Sequence, residues 1–185
     1  MRRALLYGMM LLCSCMAVAQ GIPFIKNYTP DDYHAHNRNF DVITTDDGSV
    51  FIANFEGLLY YNNVEWRMIH TPGITRVTVI YKDQNNDIWA GGYNYFGKIQ
   101  RKDNGELYLQ TVGKQGAFRG EVQEIWEEKD NSLNFFVNDG NIYEVKDNQF
   151  HLKKQISKER LGIGLSDIVD LDKLEQTGKA EVLSD

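Results

Sequence analysis

The chain has 185 residues, with 26 acidic side chains against 20 basic ones and a formal net charge of −6 at pH 7. An acidic chain of this kind is not expected to bind nucleic acid or an anionic membrane surface. Both cysteines, Cys13 and Cys15, lie in the first nineteen residues. The rest of the chain therefore contains no disulfide, thiolate metal site or cysteine nucleophile.

Residues 1–19 have the pattern of a signal peptide. Two arginines precede a largely apolar run, and an Ala-Val-Ala sequence ends at Ala19. We predict cleavage after Ala19 and export to the periplasm or another extracytoplasmic compartment, with no membrane span after signal removal. A lipoprotein acylated at Cys15 and an uncleaved anchor are the alternatives.

A β-rich sequence repeat of about 40 residues then occurs three times, beginning at Val42, Val77 and Val122. Each copy has alternating apolar and polar residues broken by Asp, Asn and Gly turns, which predicts four short strands joined by hairpins. The predicted strands are Phe40–Thr45, Val50–Asn54, Leu58–Tyr61, Glu65–Ile69, Val77–Lys82, Ile88–Gly92, Gly97–Arg101, Glu106–Thr111, Val122–Glu128, Leu133–Val137, Asn141–Val145 and Phe150–Lys154. A four-stranded repeat of this length is typical of propeller blades.

The predicted fold class is all-β, a partial β-propeller of about three four-stranded antiparallel blades plus an incomplete fourth. The predicted domains are a signal peptide (1–19), an extended leader packing on the first blade (20–39), blade 1 (40–74), blade 2 (75–116), blade 3 (117–155) and the incomplete blade 4 (156–185). A helix at Asp167–Leu174 is the alternative within that last segment. Propellers close with four to eight blades, so we expect the front piece of a longer protein or a truncated product.

The first turn of each copy carries an Asp followed by an aromatic residue. The segment from Thr44 to Phe51 resembles the Asp-box of sialidases and related propellers. In that motif a carboxylate accepts backbone N–H groups and the aromatic packs between blades. The second copy has one extra residue, and the third has Ser132 in place of the glycine. The predicted structural turn residues are Asp46, Gly48, Phe51, Asp83, Trp89, Asp130 and Phe135.

The sequence predicts no catalytic residue, metal site or cofactor. The segment from Asp83 to Asp87 imitates a calcium loop, but Ile88 stands where that loop requires glycine. His34 and His36 alternate along the chain without a third ligand nearby. No convergent acid, base or nucleophile is visible, so we do not expect an enzyme. The candidate ligand-binding residues, as platforms for sugar stacking, are Tyr93, Tyr95 and Phe96, with core packing as the alternative.

Three segments resemble a known family. GIPFIKNYTPDDYHAHNRNFDV, FIANFEGLLYYNNVEWRMI and IWAGGYNYFGKI are similar to the opening of bacterial two-component regulator propeller proteins, the periplasmic sensor regions of hybrid sensor kinases and membrane-spanning transcriptional regulators. The resemblance covers nearly all of Gln20–Lys154. It is closest to regulators with a triple-tyrosine domain, a membrane helix and a cytoplasmic helix-turn-helix, none of which follows in this chain.

The resemblance implies a periplasmic sensor portion of a signal-transduction or transcriptional regulator, without its own output domain. Its ligand would be an extracytoplasmic small molecule or glycan. One alternative is an exported propeller-type carbohydrate-active enzyme. The other is a bare protein-interaction module, in which an open blade edge would allow self-association by strand addition.

Overall fold

A computed structural model of the chain describes residues 25–114, 116, 118–146 and 148–156. The signal peptide, with its cleavage after Ala19, and the incomplete blade 4 beyond Ile156 lie outside the described residues. The secondary structure comprises α1 (Pro30–Tyr33), β1 (Asn39–Thr44), β2 (Val50–Asn54), β3 (Gly57–Tyr61), β4 (Trp66–Ile69), β5 (Val77–Lys82), β6 (Ile88–Gly92), β7 (Tyr95–Arg101), β8 (Leu107–Thr111), β9 (Val122–Glu127), β10 (Leu133–Val137), β11 (Asn141–Lys146) and β12 (Gln149–Gln155).

The strands form three four-stranded antiparallel sheets, each a meander in chain order. We call β1–β4 blade 1, β5–β8 blade 2 and β9–β12 blade 3. The sequence prediction of fold class is confirmed, because the described chain is almost entirely β and folds as consecutive four-stranded blades. Each predicted strand begins and ends within two residues of the observed one.

The three blades repeat one another in detail. The first strand of each blade has a bulge at its second residue, which is Phe40, Thr78 or Gln123. The first two strands are then joined by turns of the same length, and Thr44, Lys82 and Glu127 each pair with the first residue of the next strand. Positions in one blade can therefore be compared directly with positions in the others.

Apolar layers hold the blades together. Leu58, Phe96 and Ile142 occupy the second position of the third strand in each blade, and all three are buried. Leu58 packs in the layer between blades 1 and 2, Phe96 in the layer between blades 2 and 3, and Ile142 in a cluster on the outer side of blade 3. That last cluster contains Trp126, Phe136, Ile142 and Ile156. Blade 3 thus has the same apolar side that blades 1 and 2 use to contact the blade that follows.

The leader differs from the extended segment that we predicted, because it contains the one-turn helix α1. Thr29 is the residue before the helix, Pro30 has the fixed φ that suits a first helical position, and the Thr29 N–H donates to Asp32 Oδ2 at 2.7 Å. Aromatic side chains attach this leader to blade 1. Tyr28 donates from its hydroxyl to that of Tyr61 at 3.0 Å, and both rings pack against Trp66.

Candidate functional site

Of the three predicted stacking residues, only Tyr93 is on the surface, with 49% of its area exposed. Tyr95 is buried and donates from its hydroxyl to the carbonyl of Arg76 at 2.9 Å, and burial raises the pKa of Tyr95. Phe96 is buried and its ring stacks on Phe135 of blade 3 at 4.3 Å between centroids. The prediction that Tyr95 and Phe96 form an exposed platform is therefore wrong, because both complete the packing between blades.

Tyr93 lies in the turn between β6 and β7, held against blade 3. Its backbone forms a β-bridge with Glu121, and the neighbouring Asn94 exchanges two hydrogen bonds with Gly120, at 2.8 and 2.9 Å. Glu121 also forms an ion pair with Arg76, and that hydrogen bond raises the pKa of the Arg76 guanidinium. The Tyr93 ring is thus exposed on a turn whose backbone is hydrogen-bonded to blade 3.

The histidines of the leader have local roles. His34 ends α1 in the left-handed conformation with φ of 51°. The His36 ring accepts a hydrogen bond from the Arg38 N–H at 3.0 Å and packs on the Phe55 ring at 4.7 Å. Across the described residues, no group of three or more His, Cys, Asp or Glu side chains is arranged to hold a metal ion.

The first turn of blade 1 is capped by a different aspartate from the one that we predicted. Asp47 Oδ1 accepts from the Ser49 N–H at 3.1 Å and from the Thr45 hydroxyl, and these bonds lower the pKa of Asp47. Asp46 instead points outward and forms an ion pair with Lys82 of blade 2 at 2.8 Å. The prediction for Asp46 is wrong because the sequence motif alone does not fix which carboxylate turns inward.

The corresponding turns of blades 2 and 3 show the same geometry with different residues. Their left-handed position is Asn86 or Asn131 where blade 1 has Gly48, so the second copy has no extra residue and Ser132 does not replace the glycine. Asp83 accepts from two backbone N–H groups and, at 2.8 Å, from the indole of Trp89. Asp130 accepts from the Ser132 N–H and hydroxyl, which lower the pKa of Asp130.

The aromatic positions of the motif are also shifted in blade 3. Phe51 and Trp89 both occupy the second residue of the second strand and face the following blade. In blade 3 that position is the buried Asn134, whereas Phe135 is one residue further and packs back toward blade 2. The alignment of Phe135 with Phe51 is therefore corrected by one residue, and in a strand a shift of one residue moves a side chain to the opposite face.

A groove of about 390 Å³ opens between blades 1 and 2 at the end where these turns lie. Small-molecule sites typically have volumes of this order. Both blades contribute lining residues to the groove, and those of blade 2 include aliphatic side chains. Its lining from blade 1 is Thr45, Asp46, Asp47, Ser49, Phe51 and Tyr60, and from blade 2 it is Asn86, Asp87, Ile88, Ile99, Gln100, Arg101 and Leu107.

Two of the charged groups at this groove are already neutralised by lysines. Asp46 pairs with Lys82, and Asp87 pairs with Lys98. Asp47 has no cationic partner among the described residues, and Arg101 has no carboxylate partner there, its guanidinium donating to the Gly105 carbonyl at 3.0 Å. The groove therefore has one carboxylate and one guanidinium available to a ligand.

Comparisons with known proteins establish the fold. No family model matches the chain, and no curated protein matches it significantly. The extracellular domain of the putative one-component system BT4673 from B. thetaiotaomicron matches with a TM-score of 0.55 and 15% identity, over 72% of this chain. The extracellular domain of the putative hybrid two-component system BT3049 from the same organism matches with a TM-score of 0.54 and 20% identity, also over 72% of this chain.

The chain spans 18% of the length of each of these two domains. Virginiamycin B lyase from Staphylococcus aureus matches with a TM-score of 0.49 and 16% identity, over 65% of this chain and 42% of the lyase. The fold of this chain is thus similar to that of extracellular domains of bacterial one-component and hybrid two-component systems, in agreement with the sequence resemblance. Among the described residues there is no helix of the length and apolarity needed to cross a membrane.

Proposed function

We propose that the chain is the exported, ligand-binding portion of a bacterial signal-transduction protein, and that it acts as a sensor without catalysis. The observation that carries the proposal is the fold shared with two extracellular domains of one-component and hybrid two-component systems. The groove between blades 1 and 2 supports it, because it offers a small molecule contacts to both blades at once.

The blade packing supports a role for the chain as the front portion of a longer array. Trp126, Phe136 and Ile142 on the outer side of blade 3 are apolar, like the residues that join blades 1, 2 and 3 to one another. A ligand that binds across two blades stabilises one relative position of those blades. In the whole protein this effect would pass through further blades to a separate output domain, for instance a transcriptional regulator.

A ligand screen on the exported chain tests this function. We would produce the chain in a bacterial host, confirm by N-terminal sequencing that it begins at Gln20, and measure its thermal midpoint against neutral and acidic oligosaccharides, amino acids, short peptides and nucleosides. A ligand at 100 times its Kd stabilises the folded state by about 2.7 kcal/mol, so a true ligand raises the midpoint by several degrees.

Two outcomes would contradict the proposal. If no compound raised the midpoint or bound in calorimetry, the chain would not be a self-sufficient binding module. If a compound were consumed and a product released, the chain would be an enzyme. Chromatography of each hit after overnight incubation separates binding from turnover.

A further inference from the structure

We propose that the groove between blades 1 and 2 binds a small zwitterion, an amino acid or short peptide with a free ammonium and a free carboxylate. The inference rests on the proposed ligand-binding function and names the site and the ligand class for it. Asp47 on the blade 1 wall would accept from the ammonium, and Arg101 on the blade 2 wall would donate to the carboxylate.

The charge distribution of the groove carries this choice. Asp46 and Asp87 are each paired with a lysine of this chain, so neither needs a cation from a ligand. Asp47 lines the groove from blade 1 and Arg101 from blade 2, without an ion pair between them, and no other residue of the described chain neutralises them. A ligand with both charges neutralises both the Asp47 carboxylate and the Arg101 guanidinium, whereas a simple cation or anion neutralises one of them and is repelled by the other.

The groove has an apolar part that suits an apolar ligand side chain. Ile88, Ile99 and Leu107 of blade 2 line it, and the rings of Phe51 and Tyr60 pack together at 4.8 Å on the blade 1 side. Ser49 brings a small side chain with a hydroxyl into the same wall. Apolar lining with a few polar groups is the usual composition of a small-molecule site.

The interface between blades 2 and 3 has a different residue pair at the place equivalent to this groove. Where blade 1 has Phe51, blade 2 has Trp89, and where blade 1 has Thr45, blade 2 has Asp83, which accepts from the Trp89 indole. A larger ring is thus accommodated at the equivalent place in this fold. Blade 1 has the smaller ring at the first position and an uncharged hydroxyl at the second, and both residues line the groove.

Calorimetry on the exported chain tests the ligand class. The probes are L-leucine, leucyl-glycine and leucyl-glycyl-glycine, because each added residue extends the span between the two charges by about 3.5 Å. We expect one of the three to bind. Its N-acetylated and C-amidated forms should each bind at least tenfold more weakly, and the neutral disaccharide maltose should not bind.

Variants locate the site. Arg101→Gln should weaken binding at least tenfold, while Arg67→Gln, at an exposed arginine of blade 1 outside the groove, should leave it unchanged. The variant Phe51→Trp introduces the larger ring of the equivalent blade 2 position and should narrow the groove. We expect it to keep the circular dichroism spectrum and cooperative melt of the parent chain and to lose binding.

The inference is overturned if none of the three zwitterions binds, if the blocked forms bind equally well, or if Arg101→Gln binds like the parent. If maltose or another compound of the ligand screen bound instead, the zwitterion assignment would be wrong and the proposed ligand-binding function would stand. If no compound of the screen bound, both the zwitterion assignment and the proposed function would be wrong.

Discussion

The α-carbon of Gly91 in blade 2 lies directly against the side chain of Val122 in blade 3. A Cβ placed on Gly91 would lie 2.7 Å from both Cβ and Cγ1 of Val122, closer than such atoms approach in real structures. The equivalent residues are Ala53 in blade 1 and Phe136 in blade 3. Glycine is thus required at position 91 by the close approach of two blades.

Gly91→Ala should therefore destabilise the chain through the interface between blades 2 and 3. We expect a loss of about 2 kcal/mol in the free energy of unfolding, the usual cost of an overpacked site. Urea unfolding measures it. In a Val122→Gly background the same change should cost far less, because the clashing Cβ and Cγ1 atoms are both gone, and equal costs in both backgrounds would show that the contact is not the cause.

The two neighbouring aspartates of the first turn should differ in their effects. Asp47→Ala removes the acceptor for the Ser49 N–H and the Thr45 hydroxyl, whereas Asp46→Ala removes an exposed ion pair, which contributes little. We expect the Asp47 variant to melt at a clearly lower temperature than the Asp46 variant. A lower melting temperature for the Asp46 variant would instead support the sequence prediction that Asp46 caps this turn.

The effect of Asp47 should also depend on pH. Its pKa is lowered in the folded chain, so its contribution is fully present above the unfolded pKa of about 4 and is lost as pH falls through the folded pKa. The difference in melting temperature between the parent and Asp47→Ala should be constant at pH 6 to 8 and shrink below pH 4. A difference that persisted at pH 2 would show that the carboxylate charge is not involved.

The strands could be predicted from sequence because hairpin turns and alternation are local signals. The helix α1 also has a local sequence signal, because Thr29, Pro30 and Asp32 have the spacing of a capped first helical turn. We predicted an extended leader instead because the segment is rich in aromatic residues. The turn register was harder, because Asp46 and Asp47 are adjacent and only the hydrogen bonds of Ser49 and Thr45 distinguish them.

The burial of Tyr95 and the existence of the groove depend on contacts between blades. Tyr95 is buried because it packs in the layer between blades 1 and 2, and no pattern within β7 indicates how closely blade 1 approaches. The groove joins the turn at Asp47 to the strand end at Arg101, more than fifty residues further along the chain. The pattern of a single sequence carries no signal for such a pairing.

Two tryptophans provide a matched test of buried hydrogen bonding. The Trp89 indole N–H donates to Asp83 at 2.8 Å, while the Trp66 indole N–H is buried without an acceptor among the described residues. Trp89→Phe should cost about 1–3 kcal/mol more than Trp66→Phe in urea unfolding, because only the first loses a hydrogen bond to a charged group. Equal costs would mean that loss of ring volume dominates at both sites.

Tyr33 tests whether the leader is part of the folded unit. Its ring is buried and packs on Trp66 at 5.8 Å between centroids. If the leader is integral to blade 1, Tyr33→Ala should lower the free energy of unfolding by about 3 kcal/mol, as for other buried aromatics, and should speed backbone hydrogen exchange in β4. Val64→Ala is the control, since Val64 is exposed just before the same strand and its loss should change neither quantity. Unchanged exchange in β4 of the Tyr33 variant would mean that blade 1 folds without the leader, because the aromatic contacts would then contribute nothing to the strand that they cover.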